Sequence, residues 1–359
     1  MKNKAVKTVV VSVSVLLAAV VSFVVGFLIF ASVTTLRVKD TEAMEISGHL
    51  SQKVNPNREI RFLTWNIGYG ALDERQDCYF DGGKGVDGES LEVVQANVSA
   101  IKKQIKELDP DIFCLQEIDL DSKRSYHFNE LTSFKEDFKG DTYQNSFAYN
   151  FKAGCVPVPL YNPTGRVEAG ISTFSRFQIA SSTRMQLPVP FQWPVSLVNL
   201  KRCLLITRSP IILSDKELVT VNLHLEAYDD GEGKARQLKQ LMDFMQEEYA
   251  KGNYVVACGD FNQTFSNVDL SDYPQIDEWV CPVIDVDEYP DFTFRMDDRV
   301  PTCRSLSGTY DDSDKSAHQY YMLDGFVFSN NITVNSLETI DTGFKNADHN
   351  PVMMSVTLA

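Results

Sequence analysis

Residues 255–264 read VVACGDFNQT. Val255, Val256, Ala257 and Cys258 have the composition of a strand covered on both faces. Gly259 lets the backbone turn or come close to a neighbour. The run then ends in two polar side chains, Asp260 and Asn262. Strand side chains alternate, so the two lean the same way, about 7 Å apart if the strand continues. On these ten residues alone, a strand closing in an Asx-type turn is the plain reading. The same ending recurs along the chain, and that recurrence decides between a turn and a site.

Working outward, IRFLTWNIGYG (60–70) alternates, with Ile60, Phe62, Thr64 and Asn66 on one face and Arg61, Leu63 and Trp65 on the other. Residues 71–89 are a polar, Gly-rich loop without the Gly-Lys-Ser/Thr ending of a nucleotide-binding loop. Ser90 caps a predicted helix to Leu108, whose Val94, Val98, Ile101, Ile105 and Leu108 form one apolar stripe. Strand IFCLQEI (112–118) follows, ending in Gln116 and Glu117. This strand–helix–strand order points to a layered α/β domain. Residues 125–165 are rich in aromatics and Asn with little periodicity; GISTFSRFQI (170–179), CLLITR (203–208) and ELVTVNLHLEA (217–227) read as strands. A helix is expected from Glu232 to Ala250, stopped by Gly252. Residues 263–318 read as loops and short strands, YMLDGFVFS (321–329) as a strand interrupted by Asp324, and Asp348-His349 precede a final strand.

The N-terminus is of another kind. From Thr8 to Leu36 no residue is charged, a run of 29 residues, where a bilayer core needs about 20 in helix. A cleaved signal usually has an apolar stretch of only about 7–15, so an uncleaved anchor is the favoured reading over a cleaved signal or a buried core helix. Lys2, Lys4 and Lys7 precede the span; Arg37 and Lys39 follow, close to Asp40 and Glu42. That bias favours a cytoplasmic N-terminus and an exported C-terminal domain at the cell membrane. The organisation expected is thus an anchor (1–39), a polar tether (40–58) and one domain (59–359). The whole chain carries −15, and its first 39 residues hold five basic and no acidic side chains, which leaves −20 for the rest. Such a domain does not look like a nonspecific duplex binder, so nucleic acid is a disfavoured partner. Seven cysteines, no two closer than Cys281 and Cys303, rule out zinc-ribbon spacing.

Strand-associated runs therefore carry Asn66, Glu117, His224, Asp260 with Asn262, Asp324, and Asp348 with His349 at or near their ends. Strand ends on one edge of a sheet gather in space, and ligand crevices form there. Four carboxylates, two amides and two histidines suit a hard divalent ion and a phosphate: oxygen ligands select Mg²⁺, Mn²⁺ or Ca²⁺. Singly, each has another use, as a turn former, a surface charge or a structural histidine.

Together, TWNIG, LQEID, NLHLEAYD, GDFN, LDGFVFS and ADHNPV, in this order over residues 60–359, resemble the endonuclease/exonuclease/phosphatase superfamily. Its members include deoxyribonuclease I, inositol polyphosphate phosphatases and bacterial sphingomyelinases. The resemblance implies a four-layer sandwich of two packed β-sheets flanked by helices, here preceded by one transmembrane helix, and metal-dependent phosphoester hydrolysis. It implies that Glu117 holds the ion with Asn66 and Asp348 nearby. His349 would take the proton from attacking water or assist the phosphorus–oxygen transition state, with Asp324 orienting its ring. Asp260 would position the nucleophile or serve the leaving group, Asn262 would donate to a phosphate oxygen, and His224 would face the scissile group as an acid. Tyr149, Lys152, Arg166 and Arg202 are candidate phosphate contacts. The motifs leave the substrate open: a lipid headgroup or small organophosphate, with DNA or RNA as the alternative and a non-catalytic binding protein as a remote one.

Overall fold

A computed structural model describes residues 2–229 and 231–358 of the chain. Four α-helices are present among them, α1 (Lys2–Thr34), α2 (Leu91–Leu108), α3 (Glu130–Asp137) and α4 (Glu232–Ala250). The strands are β1 (Thr41–Ala43), β2 (Ile46–Ser47), β3 (Ile60–Asn66), β4 (Ile112–Asp119), β5 (Gln144–Val156), β6 (Gly165–Ser175), β7 (Ser181–Gln186), β8 (Cys203–Pro210), β9 (Glu217–His224), β10 (Tyr254–Asp260), β11 (Thr264–Phe265), β12 (Val283–Ile284), β13 (Phe292–Arg295), β14 (Cys303–Arg304), β15 (Tyr320–Tyr321), β16 (Asp324–Ser329), β17 (Ile332–Thr339) and β18 (Val352–Leu358). Two seven-stranded sheets result, ordered β1-β7-β8-β9-β10-β16-β13 and β17-β18-β3-β4-β6-β5-β2; β11 pairs with β12, and β14 with β15.

The alternation in β3 decides how the layers stack. Ile60 and Phe62 enter the apolar layer between the sheets, with Cys114, Val256, Cys258, Phe326 and Met354. Leu63 and Trp65 face the other way, onto Val98, Ile101 and Ile105 of α2 and Phe134 of α3. On the outer face of the first sheet, Leu238, Leu241 and Met245 of α4 cover Val219, Val221 and Val255. The order is therefore helix, sheet, sheet, helix. Polar contacts also cross between the sheets: Gln116 Nε2 donates to Asn222 Oδ1 at 2.9 Å, Asn222 Nδ2 to the Ser172 carbonyl at 2.9 Å, and Ser182 Oγ to Ser146 Oγ at 2.7 Å. Gly259 has the role its position suggested. A Cβ there would run into the Leu223 carbonyl of β9, which pairs with β10 in parallel.

Several expectations hold. Ser90 caps α2 by accepting from Val93 N, and α4 spans Glu232 to Ala250; all seven cysteines are free, Cys114 and Cys258 among the buried ones. Others are corrected. Residues 40–58 hold β1 and β2, one edge strand for each sheet, and buried Val54, which bridges Ile211. Strands of three and two residues are too short to show a period. The aromatic stretch 125–165 holds α3 and the 13-residue β5, whose alternation is broken by irregularities at Tyr149/Phe151 and Ala153/Val156. Residues 176–179 lie beyond β6, and Asp324 begins β16 rather than interrupting a strand.

A buried ion-pair cluster ties α4 to β8. The Glu248 carboxylate accepts from Arg208, Lys251 and Asn253. Burial opposes its ionisation, but these hydrogen bonds outweigh burial and hold the carboxyl down at about 2. A depressed carboxylate adds stability above its unfolded value, and that stability disappears as pH falls through the folded value. Glu248→Gln is therefore expected to cost about 2–3 kcal/mol at pH 7. Urea unfolding of the two proteins should show the difference closing between about pH 4.5 and 2.

Candidate active site

Strands β3 and β4 are parallel, as are β9 and β10. Their C-terminal ends meet across the sandwich, where Asn66 Nδ2 donates to Asp260 Oδ2 at 3.1 Å. The same amide lies 3.4 Å from His349 Nε2. Asp260 Oδ2 is also 3.3 Å from His224 Nε2 and 3.8 Å from His349 Nε2. His224 Nδ1 is 3.9 Å from Glu117 Oε1, and His349 Nε2 is 3.9 Å from Asp348 Oδ2. His349 Nδ1 and Asp324 Oδ2 are hydrogen-bonded at 2.7 Å. Seven of the predicted residues thus occupy one cluster: Asn66, Glu117, His224, Asp260, Asp324, Asp348 and His349.

Local backbone explains how they are aimed. Glu117 has φ 58°, a left-handed conformation costly for a side chain of this kind. It lies where the β4–β6 register slips between Leu115 and Ile118, and such bulges re-aim side chains. Asn262 also has φ 50°. Its N–H donates to Asp260 Oδ1 at 2.8 Å and its Nδ2 to the Leu225 carbonyl at 2.9 Å. The opening stretch therefore ends in an Asx turn, and that turn fixes Asp260 in the cluster. His349 is held by its own backbone: its carbonyl accepts from Trp65 Nε1 at 2.9 Å, and it bridges Cys303. Thr302 Oγ1 accepts from Asp324 N at 3.1 Å.

Burial acts on every member. It opposes charge on His349, yet the Asp324 carboxylate prevails and holds the imidazole well above its usual range. Burial, with the charges of Arg202 and His349, keeps His224 well below it. Burial pushes Asp324 up to about 6, against the pull of His349. Burial and the neighbouring Asp348 push Glu117 up to about 8.

A sequence model of the Endonuclease/Exonuclease/phosphatase family matches residues 63–342. The chain belongs to that family. Comparison with curated protein sequences gives no significant match. Among solved structures, the chain is similar in fold to an endonuclease/exonuclease/phosphatase from Beutenbergia cavernae, at 20% identity and TM-score 0.56 over 84% of this chain and 72% of that one. It is similar to a Bacteroides vulgatus endonuclease/exonuclease/phosphatase, at 16% and 0.52 over 84% and 100%. It also resembles ANGEL2, described as a 2′,3′-cyclic phosphatase, at 13% and 0.53 over 88% and 98%. Endonuclease/exonuclease/phosphatase proteins are mostly phosphoester hydrolases and generally use divalent metals.

The donor set here fits such an ion. Asp260, Asp324 and His349 offer ligand atoms within 4.8 Å of one another, as do Cys303, Asp348 and His349; of the residues expected to hold the ion, Asp348 is in these groups and Glu117 and Asn66 are not. Asp348 Oδ1 and His224 Nδ1 are buried without a hydrogen-bond partner, and the Glu117–Asp348 repulsion calls for a cation. Asn66 Oδ1 already accepts from Gly68 N.

The candidate phosphate contacts fare differently. Tyr149, Lys152 and Arg166 converge on Glu168, with Arg166 also on Asp121. None of the three has a hydrogen bond or ion pair to the seven. Arg202 is buried behind His224, its Nη1 3.5 Å from that residue's carbonyl and its Nε 3.7 Å from Glu226. The sequence reading missed Trp65 and Thr302, which hold His349 and Asp324. Trp65 sits beside Asn66 within TWNIG, a signal that was available; Thr302 lies in an aperiodic stretch and gave none.

Proposed function

We propose that the chain is a membrane-anchored, exported phosphoester hydrolase dependent on a divalent ion, Mg²⁺ or one like it. The convergence of seven polar residues from six strand-associated segments on one buried cluster carries this reading. Glu117, Asp348 and Asn66 would hold the ion, which when bound would neutralise the phosphate and favour nucleophilic attack. His349, its ring oriented by Asp324, would serve the charge that develops at phosphorus or exchange a proton with water. Asp260 would position the nucleophile or serve the leaving group, and His224 would face the scissile group. Asn262 would set Asp260 and offer its remaining amide N–H to a phosphate oxygen.

For the substrate, a lipid headgroup or small organophosphate is favoured over nucleic acid. The cations nearest the cluster are engaged internally, Arg202 with His224 and Glu226 and Arg304 with the Asp73 and Gln76 carbonyls. They leave little for a phosphodiester backbone, which needs several free cations. The test is the detergent-solubilised full chain with Mg²⁺ or Mn²⁺ against sphingomyelin, inositol phosphates, RNA and plasmid DNA. Headgroup release absent in Glu117→Ala is expected. Plasmid nicking absent in that variant would move the substrate to nucleic acid, and no turnover with any metal would remove the enzyme reading.

A further inference from the structure

Helix α1 contains a 29-residue span, Val6–Thr34, long and apolar enough to cross a membrane. Its end is built into the domain. Leu36 N donates to the Lys152 carbonyl at 2.9 Å, and Gly154 N to Thr34 Oγ1 at 3.1 Å. A Cβ on Gly154 would lie 2.7 Å from the Phe30 ring and 2.6 Å from Thr34 Oγ1, so glycine is what lets helix and strand meet. The Lys201 ammonium donates to the Leu36 carbonyl and, at 2.8 Å, to Thr35 Oγ1.

Lys201 closes a loop of unusual composition. Residues 187–200, LPVPFQWPVSLVNL, carry no charge. Val198 and Leu200 pack on the domain beside Phe151 and Ala153, and the turn Val195–Val198 touches α1. Trp193 and Val195 stand out, 66% and 53% exposed. Leu160, in the β5–β6 connection, is 87% exposed.

Strand direction places these features relative to the cluster. β5 is antiparallel to β6, and β6 to β4. The C-terminal half of β5, which receives α1, therefore points to the edge where β4 delivers Glu117. The loop enters β8 opposite the end of β9, Leu204 facing Leu223 one residue before His224. Helix, apolar loop and catalytic cluster share one edge.

We propose that loop 187–200 is an interfacial anchor. It lies in the headgroup region of the bilayer that α1 crosses, and with α1 it holds the catalytic edge against that bilayer. The proposal rests on reading α1 as a membrane span. At about 1.5 Å per residue, Phe30 is roughly 6 Å from the span's end, so domain surface packed on it lies at interface depth. Tryptophan is the side chain favoured there, apolar in body with one polar edge. The substrate that meets an edge so placed is a phosphoester borne by a lipid.

The test uses the full chain in phosphatidylcholine nanodiscs, plain or with acyl chains brominated near the headgroup. In a Trp279→Phe background only buried Trp65 and Trp193 emit. Bromine is expected to quench part of the emission, and Trp193→Phe to remove that part. Equal emission in both nanodiscs overturns the proposal, whether the loop faces water or a second copy of the chain. Trp193→Asp should lower turnover of vesicle-borne sphingomyelin about tenfold while leaving soluble bis(p-nitrophenyl) phosphate within about twofold; an equal loss on both overturns it. Quenching without turnover of either substrate upholds the anchor and removes only the hydrolase reading.

Discussion

His349→Ala is expected to lower phosphoester hydrolysis about a thousandfold, within the range for removing a positioned proton-transfer group. The residue is held at three points: its ring by Asp324 at Nδ1, and its backbone by Trp65 at the carbonyl and by the Cys303 bridge. Its Nε2 alone is left to face Asp260, Asp348 and Asn66. Asp324→Asn keeps the shape of the contact and removes its charge, so a loss of about 10²–10³ is expected. The two changes act on one unit, and the double variant should be little worse than His349→Ala alone. A pH–rate profile separates positioning from simple misfolding. Asp324 raises the His349 value against the effect of burial, so Asp324→Asn should move the limb belonging to that imidazole to lower pH. Multiplicative losses, or an unmoved limb, would show that the pair does not work together.

Glu117→Gln is expected to abolish the response to divalent ion. In the metal-free protein the Glu117 carboxyl is pushed up to about 8 by burial and by Asp348. An acid raised in the folded state destabilises the fold once pH passes its unfolded value of about 4.5, and the cost grows until pH exceeds the folded value. The glutamine variant should therefore be the more stable of the two metal-free proteins at pH 9. With Mn²⁺ at about 100 times its Kd, the parent should gain about 2.7 kcal/mol, and the variant almost none. Thermal unfolding with and without ion reads this without any substrate. Activity should fall at least a hundredfold alongside. A full ion-induced shift in the variant would place the ion elsewhere in the cluster.

What could be read from the residues, and what could not, follows from the range of each signal. The alternation in β3, the stripe of α2 and the four-residue apolar run opening β10 are local patterns, and each marks its element correctly. The edge strands β1 and β2 had two or three residues and no period, and β5 had its period broken twice by irregular pairing. The site residues were legible because each ends or begins a strand, in motifs that recur in one order. Their aim was not legible. The positive φ of Glu117 and the Asx turn at Asn262 are set by pairing partners far away in sequence. Lys152 and Arg166 suggest phosphate contacts in the sequence because a lone cation carries no mark of its partner; that partner, Glu168, is evident only with β5 lying against β6.

The cluster straddles the sandwich. Asn66 and Glu117 stand on one sheet, and Asp348 and His349 just before its strand β18; His224, Asp260 and Asp324 belong to the other. Neither sheet holds a working half. The Gln116–Asn222 bridge and the Ser182–Ser146 hydrogen bond join the two sheets in the register that brings both halves face to face. On the proposed function, catalytic competence is a readout of sheet docking: a collapsed intermediate with both sheets formed but slipped would have native-like secondary structure and no activity, and recovery of turnover on refolding would time the last docking event rather than the first collapse.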